Sequence, residues 1–168
     1  MSRRTVFLAL AVAALAGLVS WRVLRRPALS DEERIRALFE DAARAAEEKR
    51  VGDVVEPVSE RFHGGGLDRR GVKQLVAFHA LRGEWVAAAI SGARIRVRED
   101  GAEARANVDV VVARGAAPGK ALDAVVPGEA SVHRIACRLE REDGAWRIVE
   151  ATWAQVGLPE ALAGPADP

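Results

Sequence analysis

From about Glu84 onward, apolar and polar residues alternate with a period of two, and this alternation restricts the fold of the 168-residue chain more than any other feature. Ala93, Ile95 and Val97 alternate with arginines, an Asp100-Gly101 turn follows, and a return strand alternates up to Val112. We therefore predict a hairpin with one buried and one solvated face, and Asp109 falls on the solvated face.

A second hairpin is predicted further along the chain. A long connection, residues 115–130, leads to a strand with His133, Ile135, Cys137 and Leu139 on one face. Asp143-Gly144 then turns into a last strand, 145–156, with Trp146 inside. The two hairpins together give an antiparallel sheet of about four strands.

Three helices are predicted before the sheet. Ser30 and Glu33 form an S-x-x-E capping box that begins the first, which ends before Gly52. Asp53 and Glu56 repeat the pattern for a short second helix with Pro57 in its first turn. Asp68 caps a third helix that runs to about residue 81. This order predicts an α+β fold with helices covering one face of a curved sheet.

The amino-terminal residues 5–24 form an apolar segment between Arg3-Arg4 and Arg25-Arg26. It is about long enough to cross a bilayer if Arg22 extends to the interface, so we expect one transmembrane helix that contacts the lipid bilayer. Cleavage as a signal peptide at Ala14-Leu15-Ala16 is the alternative. With the amino terminus inside, the domain after the anchor is expected outside the cytoplasmic membrane, in the periplasm if the cell has one.

Charge and cysteine content exclude several classes of function. Five of the 25 basic residues precede Ser30, which leaves 20 against 24 acidic residues and a net charge of −4 for residues 30–168. No concentrated basic surface is evident, so we expect no nucleic-acid partner. Cys137 is the lone cysteine, which excludes an internal disulfide and a thiolate zinc site.

The element order and the ending Leu139-Glu140-Arg141-Glu142-Asp143-Gly144-Ala145-Trp146-Arg147-Ile148-Val149 resemble the NTF2-like superfamily, also called SnoaL-like or cystatin-like. The resemblance covers residues 30–156 and implies a cone whose open end holds a pocket. With the apolar amino-terminal segment and the three prolines of the last residues, this gives an anchor segment (1–29), an NTF2-like domain (30–156) and a flexible tail (157–168). The superfamily includes isomerases, dehydratases, transport factors and anchored secretion-machine subunits, so the fold does not select a function.

Three residues are candidates for acid–base chemistry in such a pocket: His79, His133 and Glu150. His79 lies on the apolar stripe of the third helix, His133 shares a strand face with Ile135, and Glu150 alternates onto the face of Trp146. The alternative is that each histidine is a hydrogen-bonded interior or rim residue. The chain contains no Tyr, whereas ketosteroid isomerases and scytalone dehydratase rely on tyrosine hydroxyls, so the resemblance does not carry those mechanisms here.

Several other segments allow more than one interpretation. We interpret residues 64–66, three glycines, as a flexible connector and His63 as solvated. The row Arg94, Arg96 and Arg98 is either a solvated face or a patch that faces an anion or a partner. The apolar connection 121–126 is expected to pack over the pocket mouth or against another chain.

We expect no cofactor and no metal. The favoured hypothesis is a non-enzymatic, membrane-anchored module that binds a protein partner, a second copy of itself as a homodimer, or a small apolar ligand. The alternative is a SnoaL-like enzyme, an isomerase, dehydratase or hydrolase, that uses His79, His133 or Glu150 as acid or base.

Overall fold

A computed structural model of the chain describes residues 29–82, 87–113 and 130–168. The elements, numbered along the chain within these ranges, are α1 Asp31–Glu47, α2 Val51–Val55, β1 Val58–His63, α3 Arg69–Arg82, β2 Ala87–Val97, β3 Glu103–Ala113, β4 Ala130–Glu142, β5 Ala145–Val156 and α4 Leu158–Ala163.

The amino-terminal ends of α1 and α3 are capped as the sequence predicts. The Ser30 hydroxyl accepts a hydrogen bond from the Glu33 amide, and the Glu33 carboxylate accepts one from the Ser30 amide, so both halves of the capping box are present. The Asp68 carboxylate accepts a hydrogen bond from the Gly71 amide at 2.7 Å. Each cap satisfies a backbone donor that the helix leaves unpaired.

The sheet has five strands in the order β1-β5-β4-β3-β2. The two predicted hairpins are confirmed: β2 pairs antiparallel with β3, β3 with β4, and β4 with β5. The prediction of about four strands was wrong by one, because β1 adds to the sheet parallel to β5.

The additional strand, β1, occupies residues that we assigned to the second helix. That helix ends at Val55 instead of running through Pro57. The Pro57 carbonyl then accepts a hydrogen bond from the Ile148 amide at 2.8 Å. Val58 pairs with Ile148 of β5, and the side chains of Val58 and Phe62 are buried in the core, so pairing with β5 accounts for a strand at this position.

One face of the sheet packs on α1, α2 and α3 and contains the hydrophobic core; we call it the helix face, and the opposite one the outer face. Ile35 and Phe39 of α1 are buried there with Val76 of α3, Val108 of β3 and Leu139 of β4. Trp146 is also buried, as predicted. The α+β fold and the curved sheet expected from the sequence are therefore present.

The α1 amino terminus is attached to the sheet through Asp31. The Asp31 carboxylate accepts hydrogen bonds from the Trp146 indole at 3.3 Å and from the Arg141 guanidinium at 2.5 Å. Partial burial opposes ionisation, but these two hydrogen bonds outweigh it and lower the pKa of Asp31. Arg141 also stacks on the Trp146 ring, with its guanidinium carbon 4.9 Å from the ring centroid.

Residues 157–168, which we expected to be a flexible tail, instead form α4 and then follow the outer face. Arg134 donates hydrogen bonds to the carbonyls of Glu160 and Gly164, and Asn107 donates one to the carbonyl of Ala166. Pro165 is buried. A proline-rich composition indicated fraying, but a proline at the first turn of a helix is compatible with α4.

Two predictions fall on residues outside the described ranges: the anchor at 5–24 and the apolar connection at 121–126. Among the helices of residues 29–82, 87–113 and 130–168, none is both long enough and apolar enough to cross a bilayer.

Candidate functional site

Val149 forms a β-bulge in β5, and this bulge determines which side chains of β5 lie on the helix face. Arg138 of β4 pairs with Glu150, but its neighbour Leu139 pairs with Ile148, so Val149 is an extra residue. A bulge of this kind reverses the alternation of every residue that follows it.

Glu150 therefore lies on the outer face, and its predicted place beside the two histidines was wrong. Its carboxylate accepts a hydrogen bond from Arg138 at 3.4 Å and is about half exposed. Ala151 takes the buried position that strict alternation gave to Glu150. The structure thus separates the carboxylate from both candidate histidines.

His133 lies on the helix face of β4, as predicted. It pairs in register with Val110 on β3 and Gln155 on β5 and is half-buried. Its Nε2 is 3.0 Å from the Ser131 hydroxyl, two residues earlier on the same face. The ring is thereby oriented by a neighbouring hydroxyl, an arrangement that suits binding as well as proton transfer.

His79 is half-buried on α3, one turn beyond the buried Val76. Its ring packs edge-on against Phe78, with centroids 5.5 Å apart. Phe78 itself is exposed, and the Arg82 guanidinium carbon lies 4.2 Å from its ring centroid. His79 is therefore in contact with an exposed aromatic ring on α3.

Several large apolar side chains are exposed on β5 and α3. Trp153 of β5 lies opposite Ile135 on the helix face, yet 43% of its surface is exposed. Leu75 and Leu81 are exposed on α3.

The glycine loop 64–66 positions Trp153, and it is more than the flexible connector that we predicted. A Cβ on Gly65 would lie 2.6 Å from the indole of Trp153, and one on Gly64 would lie 2.2 Å from the carbonyl oxygen of Ala151. Gly65 and Gly66 also have positive φ, 56° and 76°. The loop therefore needs glycine for close packing and for conformation, while His63 beside it is exposed, as expected.

Asp109 and Arg134 form an ion pair on the outer face that the sequence does not predict. We expected Asp109 to be solvated, but only 1% of its surface is exposed. Arg134 donates to both of its carboxylate oxygens, at 2.8 and 2.9 Å, and residues 160–164 cover the pair. The hydrogen bonds to Asp109 raise the pKa of Arg134.

The predicted arginine row lies on the outer face among carboxylates. Arg94 and Arg96 are 3.5 and 3.6 Å from Asp167, and Arg98 pairs with Asp100 and Glu103. Neighbouring acids thus offset much of the positive charge of this row.

Arg61 links β1 to β4 through Glu140 and Glu142, at 2.8 and 2.5 Å. The Ser59 hydroxyl, buried beside them, donates to Glu142 at 2.8 Å. These hydrogen bonds hold the pKa of Glu142 below its usual range, and hydrogen bonds from Arg61 and Arg138 do the same for Glu140. These residues form a charged clasp between β1 and β4, the two strands that flank β5.

Cys137 is buried in the core, where its thiol donates a hydrogen bond to the Ala106 carbonyl at 3.5 Å. Burial raises the pKa of the thiol to about 12, so it stays protonated and unreactive at neutral pH.

A groove of about 630 Å³ lies between α1, α2 and the β4–β5 turn. Leu38 and Pro57 contribute apolar surface, and Arg50 and Arg147 are paired with Asp53 and Glu56. The groove lies apart from the three residues predicted as a site. Over the described ranges, no group of three His, Cys, Asp or Glu side chains is arranged to hold a metal ion.

Solved structures with the same fold confirm the NTF2-like architecture. An NTF2-like protein with a cystatin-like fold from Novosphingobium aromaticivorans is 21% identical, with a TM-score of 0.56 over 87% of this chain and 92% of that one. A protein from Xanthomonas campestris, provisionally named a calcium/calmodulin dependent protein kinase II association domain, is 14% identical, with a TM-score of 0.59 over 79% and 92%.

A third similar structure, provisionally named a scytalone dehydratase and also from Novosphingobium aromaticivorans, is 11% identical, with a TM-score of 0.57 over 76% of this chain and 85% of that one. No protein-family model matches the sequence, and no curated protein matches it. At these identities the likeness shows the fold alone, which is that of an NTF2-like protein.

Proposed function

We propose that the chain is a membrane-anchored NTF2-like binding module that takes a small apolar ligand on its helix face rather than transforming one. The observation that carries this proposal is the bulge at Val149, which directs Glu150 to the outer face and into its pair with Arg138. Glu150 is therefore not placed to act as an acid–base partner of either histidine.

The helix face offers contacts that suit an apolar molecule. Trp153 is large and accessible on this face, Phe78 and Leu75 are accessible on α3, and burial of such groups drives binding. His133, hydrogen-bonded to Ser131, adds a polar group of the kind that orients a ligand in a mostly apolar site.

The ligand proposal is tested with N-phenylnaphthylamine, an uncharged fluorophore that brightens in apolar sites, added to the fragment 29–168. We expect saturable binding, and we expect Trp153→Ala to weaken it about ten-fold because the largest accessible aromatic surface is lost. Leu162→Ala is the matched control, since Leu162 is 80% exposed on α4, away from this face.

Either of two results would contradict the proposal. One is the absence of saturable binding to a fragment whose circular dichroism shows it to be folded. The other is an equal loss of binding in Trp153→Ala and Leu162→Ala, which would place the probe elsewhere.

The location of the module is proposed on the sequence pattern alone. Residues 5–24 anchor it in the cytoplasmic membrane, and residues 30–168 lie outside that membrane. A ligand held there is accessible from the extracytoplasmic space or from the bilayer surface.

A further inference from the structure

Residues 164–168, which we call the strap, lie extended along the outer face, away from the helix-face site. The Gly164 carbonyl accepts a hydrogen bond from Arg134 at 3.1 Å, and the Ala166 carbonyl accepts one from Asn107 at 2.9 Å. The Asp167 carboxylate lies 3.5 Å from Arg94 and 3.6 Å from Arg96.

A notch in β2 receives the first proline of the strap. A Cβ on Gly92 would lie 2.9 Å from Cδ of Pro165, so any side chain at position 92 would displace the buried proline ring. The β2–β3 register shifts between Ile90 and Gly92, and Gly92 pairs with Asp109. Packing against the strap, and not backbone conformation, accounts for glycine at this position.

The outer face continues beyond the notch as a depression. It has a volume of about 340 Å³ and is lined by Arg105, Asn107, Arg138, Glu150, Thr152 and Pro168. Pro168 thus lines a depression that also contains the ion pair of Arg138 with Glu150.

The contacts together define a pattern of recognition. Side chains of the sheet donate to alternate carbonyls of an extended segment, a proline fills the notch, and two arginines face a carboxylate two residues later. A proline has no amide hydrogen to leave unpaired, and its restricted φ keeps the segment extended, which lowers the entropy lost on docking.

The strap is held weakly enough to be exchanged. Arg94, Arg96 and Asp167 are each more than half exposed, and ion pairs of this kind contribute little. The hydrophobic core lies on the other face and does not include residues 164–168.

We propose that the outer face is a docking groove for an extended acidic segment of a protein partner with the pattern small-Pro-small-Asp, and that the strap occupies this groove in cis. The strap is then an internal competitor that a partner segment displaces. This inference concerns a different face from the ligand site and does not depend on it.

The test uses the full chain in mild detergent and a fluorescein-labelled peptide, Ala-Gly-Pro-Ala-Asp-Pro, with binding followed by fluorescence anisotropy. The double variant Pro165→Ala/Asp167→Ala loosens the strap. We expect it to bind the peptide at least about ten-fold more tightly than the unchanged chain does. A peptide in which the same proline and aspartate are alanine should not bind.

A second substitution locates the peptide. Adding Gly92→Val to the double variant should abolish binding, because the side chain fills the notch. Gly52→Ala, at a position with no atom within 4 Å of the added Cβ, should leave binding unchanged. Circular dichroism verifies that each variant is folded, and if Gly92→Val fails to fold, Asn107→Ala, which removes the donor to the strap's Ala166 carbonyl, takes its place and should weaken binding.

Three results would overturn the proposal: equal binding by the unchanged chain and the double variant, equal binding of the alanine peptide, or full binding after Gly92→Val. Any of them would mean that residues 164–168 pack on the sheet as structure only.

Discussion

Arg134 is the residue that joins the sheet to the segment that covers it. It donates to both oxygens of Asp109 in the neighbouring strand and to the carbonyls of Glu160 and Gly164. An isolated carboxylate as buried as Asp109 would be unfavourable, so the pair depends on both partners being present.

Asp109→Ala is expected to destabilise the domain by about 3 kcal/mol, because it leaves the Arg134 guanidinium covered without its main partner. Urea unfolding followed by circular dichroism measures the change. Glu160→Ala is the control: it removes an exposed partner of the same arginine, 3.2 Å away, and should change the free energy of unfolding by less than about 0.5 kcal/mol. Equal effects would mean that Asp109 is accessible to water in solution.

Two residues were assigned wrongly for different reasons. Glu150 was placed by strict alternation, which fails at the extra residue Val149, whereas Asp109 lies on the predicted face but is covered by residues 160–164. No glycine marks the bulge at Val149, and nothing near Asp109 in the sequence indicates that residues 160–164 lie over it. Both errors concern contacts between residues distant in the chain.

At the level of elements, the loop between β1 and α3 fixes the position of the exposed Trp153. The amide of Gly64 donates to the Leu67 carbonyl at 3.1 Å, and the amide of Leu67 donates back to the Gly64 carbonyl at 2.8 Å. This reciprocal pair closes a tight turn against β5, where Gly65 contacts the indole ring.

Gly65→Ala is expected to shift the fluorescence of Trp153, because the new Cβ would overlap its ring. Gly66→Ala carries a similar cost for positive φ, about 1 kcal/mol, but has no neighbour within 4 Å and should leave the emission unchanged. The spectral change should be absent when Trp153 is replaced by Phe. An identical shift in both alanine variants would show that the loop, and not the ring contact, controls the emission.

The clasp of Arg61 with Glu140 and Glu142 makes part of the stability depend on pH. Both carboxyls have lowered pKa values in the folded state, so their contribution is present above their ordinary pKa and is lost as pH falls through the lowered one. We expect Arg61→Ala to lower Tm at pH 7, and the difference from the unchanged chain to shrink progressively as the pH falls below about 4.

Arg70, exposed at the start of α3, provides the control for this comparison of Tm at neutral and acidic pH. The Tm difference caused by Arg70→Ala should be the same at both pH values. A difference for Arg61→Ala that persists in acid would mean that the clasp acts through packing and not through charge.

Local signals predicted most of the elements correctly. The capping box of α1, the cap of α3 and both hairpin turns each depend on residues a few positions apart, and each was found where expected. The strand β1 was missed because its partner, β5, lies about 90 residues further along the chain. Parallel pairing of that kind leaves no local signature.

At the scale of the whole molecule, we expect a single-pass protein whose domain lies outside the cytoplasmic membrane. An alkaline phosphatase fused after residue 168 should be active, and the product should stay in the membrane fraction at full-length mass. Activity from a cytoplasmic reporter alone would contradict the orientation. A soluble product that begins near Gly17 would contradict the anchor.

Glu150 lies on the opposite face of the sheet from His79 and His133, so Glu150 does not serve as the acid–base partner of either histidine. Titration of the two histidines by NMR in the fragment 29–168, with and without Glu150→Gln, tests it most directly. We predict that both titration curves are unchanged by Glu150→Gln, since the carboxylate is paired with Arg138 across the sheet. A shift in the pKa of either histidine on that substitution, in a fragment that remains folded, would place the carboxylate in the same site and contradict the account.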